Sequence, residues 1–537
     1  MDPSRNLTDP THQATSAPVL WTTVNTTEAI PGVSTPLNWS FYREAIETGI
    51  RGSWVDFGVL RRGDDAVPAD PADCFNAMFY GRLATNLDKW RFVADRMPGT
   101  SGDTIEQQFF GTVRDGVRSN TVRRRYGIVA VKAPVAAALA VRRIRTLRER
   151  IEDWWQAALA RCDRGEGKAV LLDAEAMFAR AARSHLCASM VASGLHEQLV
   201  KLASAADRPG LELQLLTGMG GFEETRMLGD IWAASRGLLS IDAVVRRHGF
   251  HGPMEGEISS ASWREDPAPL RALVDRYRSL DDGQSPAQRE RRRTQERTRA
   301  ERELYAALPS GRRPVIASLL RLAAIYIPLR EVGRAIFLHA FDAGRAGARA
   351  FGRQLAARGV FDDPDDIFYV TLAEIAAGLP GGVSELVAFR RGRRLAHQAV
   401  SIPSAFVGVP DAQPLTDPSQ RADREVIEGT GVSAGVVEGV ARILDTPCAE
   451  DLNDGEVLVC RTTDPAWSTL FLIAGAAVID VGSAMSHGAI VARELGIPCV
   501  INTKDATRKI PAGAWVRVDG QAGTVEVLGS GPSVRAP

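Results

Sequence analysis

The 537-residue chain carries no net charge, its 65 basic residues balancing 65 acidic ones. No overall field therefore draws it to nucleic acid or to an anionic membrane surface. Cysteine is scarce: six residues, at 74, 162, 187, 448, 460 and 499, stand far apart with no C-x-x-C pair. That excludes a cysteine-built zinc site and a compact disulfide framework, and fits a reducing compartment. Long apolar runs are missing. The most apolar early stretch, Ile128 to Val141, is 14 residues long and carries Lys132 and Pro134, short of the roughly 20 residues a spanning helix needs. The N-terminal MDPSRNLTDPTHQATSAP has no apolar signal core, so a cytoplasmic protein without a membrane segment is expected. Only six basic residues are lysine, and no G-x-x-x-x-G-K-[ST] loop is present. The nearest fragment, Gly165 to Ala169, lacks the hydroxyl residue and reads as an ordinary loop.

What is present is globular in texture, 45% hydrophobic and 24% charged, and long enough for roughly three or four folding units. The expected fold class is α+β and multidomain: a large, mostly helical domain followed by a compact β/α domain. Residues 1–16, polar and proline-marked, read as a disordered tail. From 17 to 401 apolar positions recur three and four apart, as in Val141, Ile144, Leu147, Ile151 and Trp154, which predicts long amphipathic helices. Further helices are expected at 169–206, 226–247, 285–308, 313–357 and 384–398, with Gly and Pro punctuation between them. Gln288 to Glu303 holds seven arginines and four glutamates and reads as a solvated face laced with i,i+4 ion pairs. Residues 402–423 contain four prolines among small polar residues, the composition of a hinge linker. From 424 to 530 come short β-branched runs bounded by turns, interrupted by helix signals at 465–475 and 487–495; 531–537 form a tail.

The sharpest local feature is Asp480-Val-Gly-Ser-Ala-Met-Ser-His487-Gly-Ala-Ile-Val-Ala-Arg493-Glu-Leu-Gly-Ile-Pro498. A buried strand ends in a loop of small residues, Ser486 stands where a cap belongs, and His487 opens a helix stopped by Gly496 and Pro498. The positive end of the helix dipole disfavours imidazolium there. The neutral, nucleophilic ring is favoured, and free amide hydrogens would welcome an anion attached to it. A phosphorylated histidine needs these features; a neutral histidine satisfied by local hydrogen bonds would fit the same residues.

The run TDPAWSTLF at 463–471, VIDVGSAMSHGAIVARELGIPCV at 478–500 and GAWVRVDGQAGTVEVL at 513–528 resembles the swivelling phosphohistidine domain of PEP-utilising enzymes. These include phosphoenolpyruvate synthase, pyruvate phosphate dikinase and rifampicin phosphotransferase. The relatives usually carry two glycines before the S-H pair, where this chain has Gly482-Ser483. Residues 17–400 resemble the antibiotic-binding domain of rifampicin phosphotransferases through four blocks. These are EAIPGVSTPLNWS from Glu28, Gly249-Phe-His251-Gly-Pro-Met-Glu255, Arg330-Glu-Val-Gly-Arg334, and Asp362 to Thr371. In the second block the relatives usually read H-R-G-P-G-E, so the acceptor pocket is expected to differ, and rifampicin is not carried over as substrate.

The resemblance implies that His487 carries a phosphoryl group, with Ser486, Gly488 and Thr463 around it and Arg334 as a further phosphate contact. His251 would orient or deprotonate an acceptor hydroxyl, held by Glu255. An ATP-grasp domain like the one that serves the relatives is not recognised in the sequence. The expectation is a subunit that binds no cofactor itself. It would take phosphate from a separate ATP-grasp partner, which supplies ATP and Mg, and pass it to a small-molecule acceptor, which the apolar content of the helical domain allows to be hydrophobic. A split of this kind is known in phenylphosphate synthase. Two other readings are an ATP-driven condensing ligase of the prodigiosin-synthase type and a non-catalytic small-molecule-binding protein. No metal ligands are expected at His487, since no second histidine or carboxylate stands at ligand spacing in the local sequence.

Overall fold

The computed structural model describes residues 7–24, 26, 28–110, 113–114, 116–414, 426–484 and 486–530. Residues 1–6 of the expected tail, 415–423 of the expected linker and the C-terminal tail 531–537 lie outside them. The chain packs as two compact units. Residues 1–188, 254–260 and 332–416 form one; 189–253, 261–331 and 417–537 form the other. A single boundary near residue 402 is thus not how the packing divides the chain, and about a third of the expected acceptor domain groups with the C-terminal sheet.

In the first unit, strands β1 (Leu20–Thr22), β2 (Asn76–Phe79), β3 (Arg82–Asn86), β4 (Val400–Ser401), β5 (Ala405–Val407) and β6 (Gln413–Pro414) form two antiparallel sheets. Their orders are β2-β3-β1-β5 and β4-β6. Residues 405–407, expected to be linker, are therefore strand: Phe406 pairs with Trp21 and meets Phe79 edge-on at 5.2 Å, an apolar contact the proline-rich composition concealed. The tail expectation also changes from residue 7 onward. Gly81 N–H donates to Thr11 O at 2.8 Å, Met78 N–H to Gln13 Oε1 at 2.9 Å and Tyr80 N–H to His12 Nδ1 at 3.2 Å. The helix Pro36–Phe57 starts where the Thr35 hydroxyl caps the Asn38 N–H and Pro36 takes the first turn. Its Phe41 packs with Phe178 and Phe341 from the long helices Gly167–Ala205 and Arg313–Ala357.

The second unit is built on strands β7 (Val426–Glu428), β8 (Thr430–Ser433), β9 (Val436–Leu444), β10 (Val457–Cys460), β11 (Ala476–Ile479), β12 (Cys499–Ile501), β13 (Ala514–Asp519) and β14 (Thr524–Ser530). The sheet order is β7-β14-β13-β9-β10-β11-β12-β8. The centre, β9-β10-β11-β12, is parallel and the flanks antiparallel. Side chains alternate along each strand. Leu458, Cys460, Ala477 and Ile479 face one apolar layer; Val457, Val459, Ala476 and Val478 face another. The first layer is completed by Met227, Leu228, Ile231, Trp263, Leu273 and Tyr277, which explains why residues 223–253 and 261–280 join the sheet: both sheet faces are apolar and both need cover.

Two helix expectations change here. The stretch 226–247 is two helices, Glu223–Ser235 and Ile241–His248, because Gly237 turns at φ +71° and Ser240 caps the Ala243 N–H. The basic helix Pro286–Ala307 carries one i,i+4 pair of the expected kind, Arg297–Glu301, and an i,i+3 pair, Arg293–Glu296. It is not wholly solvated, however. Arg289 is drawn inward and donates to the carbonyls of Leu472 and Leu495, and burial lowers its pKa.

Candidate functional site: a buried histidine at a helix start

The loop after β11 is fixed at both ends. Asp480 accepts hydrogen bonds from Thr503 and Thr507, and burial raises its pKa against those bonds. Arg493, in the last turn of the helix that follows, donates back to Ala484 O at 2.8 Å. Burial pulls its pKa down to about 10; His196 is lowered to about 4 by its own burial first and by the Arg493 charge second. The helix His487–Leu495 begins at Ser486 and ends in the left-handed Gly496, φ +69°. A Cβ at Gly496 would stand 2.1 Å from the Arg293 guanidinium, so the position requires glycine for backbone and for space. Gly488 is constrained by space alone: a Cβ there would meet Thr463 Oγ1 at 2.5 Å and Ile479 Cδ1 at 2.9 Å.

His487 is 2% exposed. Its Nε2 lies 2.9 Å from Ser468 Oγ, and its Nδ1 faces the other way, 3.8 Å from Glu224 Oε1. A second carboxylate, Glu331, completes the surroundings, so that one ligating atom from each of Glu224, Glu331 and His487 lies within 4.8 Å of the others. All three residues are buried. The hydroxyls of Ser486 and Thr463 are buried without a hydrogen-bond partner among the described residues, leaving two donors beside the imidazole's helix terminus.

Of the residues singled out in the sequence, His487, Ser486, Gly488 and Thr463 come together. His251 lies in the same unit with its ring against Phe250 (centroids 4.1 Å apart) and Trp263 (5.7 Å). Glu255 and Arg334 belong to the first unit, where Glu255 is buried and its carbonyl faces the Arg345 guanidinium. Sequence reasoning missed Ser468, Glu224 and Glu331. Ser468 stands inside the quoted TDPAWSTLF run and Glu331 inside Arg330–Arg334, so both were available there. Glu224 has no local signal beyond its place in a first helical turn. The expectation of no metal ligands rested on local spacing, whereas the fold brings in carboxylates from positions 224 and 331.

Among the described residues no helix is long and apolar enough to cross a membrane. Comparison with known proteins adds relatives. The chain is 36% identical to an uncharacterised protein of Mycobacterium tuberculosis over 52% of its length and 30% of that protein's. It is 30% identical to the rifampicin phosphotransferase of Streptomyces sviceus over 59% of its length and 37% of the relative's. A prodigiosin synthesizing transferase of Serratia marcescens is 32% identical over 52% of this chain and 32% of that protein. The chain thus spans about a third of the length of these relatives. Family models match two segments: residues 452–523, which hold the S-H-G motif, are similar to the mobile domain of PEP-utilising enzymes, and residues 151–331 to the fourth domain of rifampicin phosphotransferases.

Proposed function

We propose that this chain is a phosphotransferase component in which His487 accepts a phosphoryl group and passes it to a small-molecule hydroxyl. The observation that carries the reading is His487 Nε2 at 2.9 Å from Ser468 Oγ, at the start of a helix. Beside it the Ser486 and Thr463 hydroxyls have no hydrogen-bond partner among the described residues. With Glu224 on the Nδ1 side, the proton belongs on Nδ1 and the lone pair on Nε2. That lone pair attacks phosphorus, the N–P bond forms as the donor's P–O bond breaks, and the helix amides and two hydroxyls receive the phosphoryl oxygens. Transfer onward reverses the bonds: O–P forms, N–P breaks, and the acceptor's proton leaves to a base, for which His251 is the candidate. Such transfers depend mostly on positioning and charge.

The donor in this reading is a separate ATP-grasp protein supplying ATP and Mg. Because His487 is buried, the sheet must part from the helix Glu223–Ser235 before a donor reaches it, and the apolar layer between them sets the cost of that motion. The Serratia relative favours a second reading, an ATP-driven condensation in which the phosphorylated substrate is consumed by coupling.

The test is intact-mass spectrometry at neutral pH with ATP, with and without a candidate ATP-grasp protein. The expected result is one acid-labile phosphoryl group on the wild type with the partner, and none on His487→Ala. Equal labelling of His487→Ala overturns the carrier assignment. Labelling without a partner overturns the split donor, and analysis of the products separates phosphoester formation from condensation.

A further inference from the structure

We propose that Glu224, Glu331 and His487 form a binding site for one divalent first-row cation, of the Mn²⁺ or Zn²⁺ class. The argument begins with Glu331. Its side chain is 2% exposed, and neither carboxylate oxygen has a hydrogen-bond partner among the described residues. The nearest charge, the Arg330 guanidinium, is 3.6 Å from one of them, beyond hydrogen-bond reach. Glu224, at 8% side-chain exposure, and His487, at 2%, stand on the other sides. Burying carboxylates without full compensation is costly, and a dication held between two of them balances their charge.

The donor chemistry narrows the ion. Two carboxylates and one imidazole suit Zn²⁺, Mn²⁺ or Fe²⁺ better than Ca²⁺, which prefers six to eight oxygens. The spacing is close to what such an ion needs. With ligands at about 2.0–2.2 Å, ligating atoms lie roughly 3–4.4 Å apart, so a cluster spanning 4.8 Å closes by about half an ångström. In the ion-bound state the proton sits on Nε2 and is donated to Ser468 Oγ, which orients the ring and leaves the Nδ1 lone pair for the ion, the opposite tautomer to the one that attacks phosphorus.

The experiment uses the full chain, stripped with chelator, dialysed and titrated with Mn²⁺ or Zn²⁺ alone. Mn²⁺ is read by electron paramagnetic resonance and bound Zn²⁺ by elemental analysis. One ion per chain is expected in the wild type, with at least tenfold weaker binding in Glu331→Gln and Glu224→Gln. With ¹⁵N-labelled histidine, Zn²⁺ should shift the Nδ1 resonance of His487, a readout that decides the matter should either variant fail to fold. No bound ion, binding undiminished in both variants, or an unmoved Nδ1 resonance overturns the proposal. None of these readouts requires a phosphoryl donor, so the cation site and the carrier reading can fail independently.

Discussion

Glu494 offers a quantitative test of how the second unit holds together. It sits in the helix that His487 opens, and its carboxylate accepts the Gly218 N–H at 3.1 and 3.2 Å. Burial raises its pKa from 4.5 to about 7, with the Gly218 bond and Arg493 pulling the other way. Ionising a group whose pKa is raised in the folded state costs more folded than unfolded. Its stability contribution is therefore complete below pH 4.5 and is lost as pH climbs to about 7. Glu494→Gln keeps a carbonyl oxygen for Gly218 and removes the charge. Integrating between the two pKa values, the variant should gain on the wild type by roughly 2–3 kcal/mol between pH 5 and pH 8. Scanning calorimetry of both proteins at pH 5, 6, 7 and 8 reads the difference directly, since other titrating groups cancel. A difference that stays flat, or that favours the wild type as pH rises, refutes the reasoning.

Gly488→Ala forces a methyl to within 2.5 Å of Thr463 Oγ1; a loss of about 1–3 kcal/mol by denaturant unfolding is expected, with phosphoryl labelling of His487 reduced at least tenfold. Tyr277→Phe removes the buried hydroxyl that donates to Thr469 O at 2.7 Å and should cost about 1–2 kcal/mol in calorimetry, since the carbonyl is left without that donor. Ser468→Ala, which takes the hydroxyl from Nε2, should slow labelling of His487 five- to fiftyfold while leaving the melting temperature within a few degrees. Unchanged labelling would remove Ser468 from the site.

Local patterns were legible where one element decides its own fate. The Ser486–His487 start and the Gly496 stop came directly from the residues, because caps are set by near neighbours. The long helix periodicity did so as well, with Arg313–Ala357 found at the expected bounds. What composition could not give was partnership. Residues 402–414 looked like linker because prolines dominate them, yet Phe406 found an aromatic partner in Phe79. Arg289 looked like one charge in a solvated row until two carbonyls on distant segments claimed it. Glu224 and Glu331 are 107 positions apart and 156 or more from His487 in the sequence, so no spacing rule could have joined them. Their grouping follows from apolar cover for both faces of the sheet.

That cover bears on how the protein can be divided for study. A fragment beginning at residue 424, the natural cut by sequence motif, would keep the sheet but strip the helices from Leu458, Cys460, Ala477 and Ile479, with Trp467 and Phe471 beside them. Such a fragment should bind hydrophobic dyes and self-associate, and any failure of its histidine to accept phosphate would report misfolding rather than chemistry. Residues 189–253 and 261–331 belong in the same expressed polypeptide as the sheet they shelter.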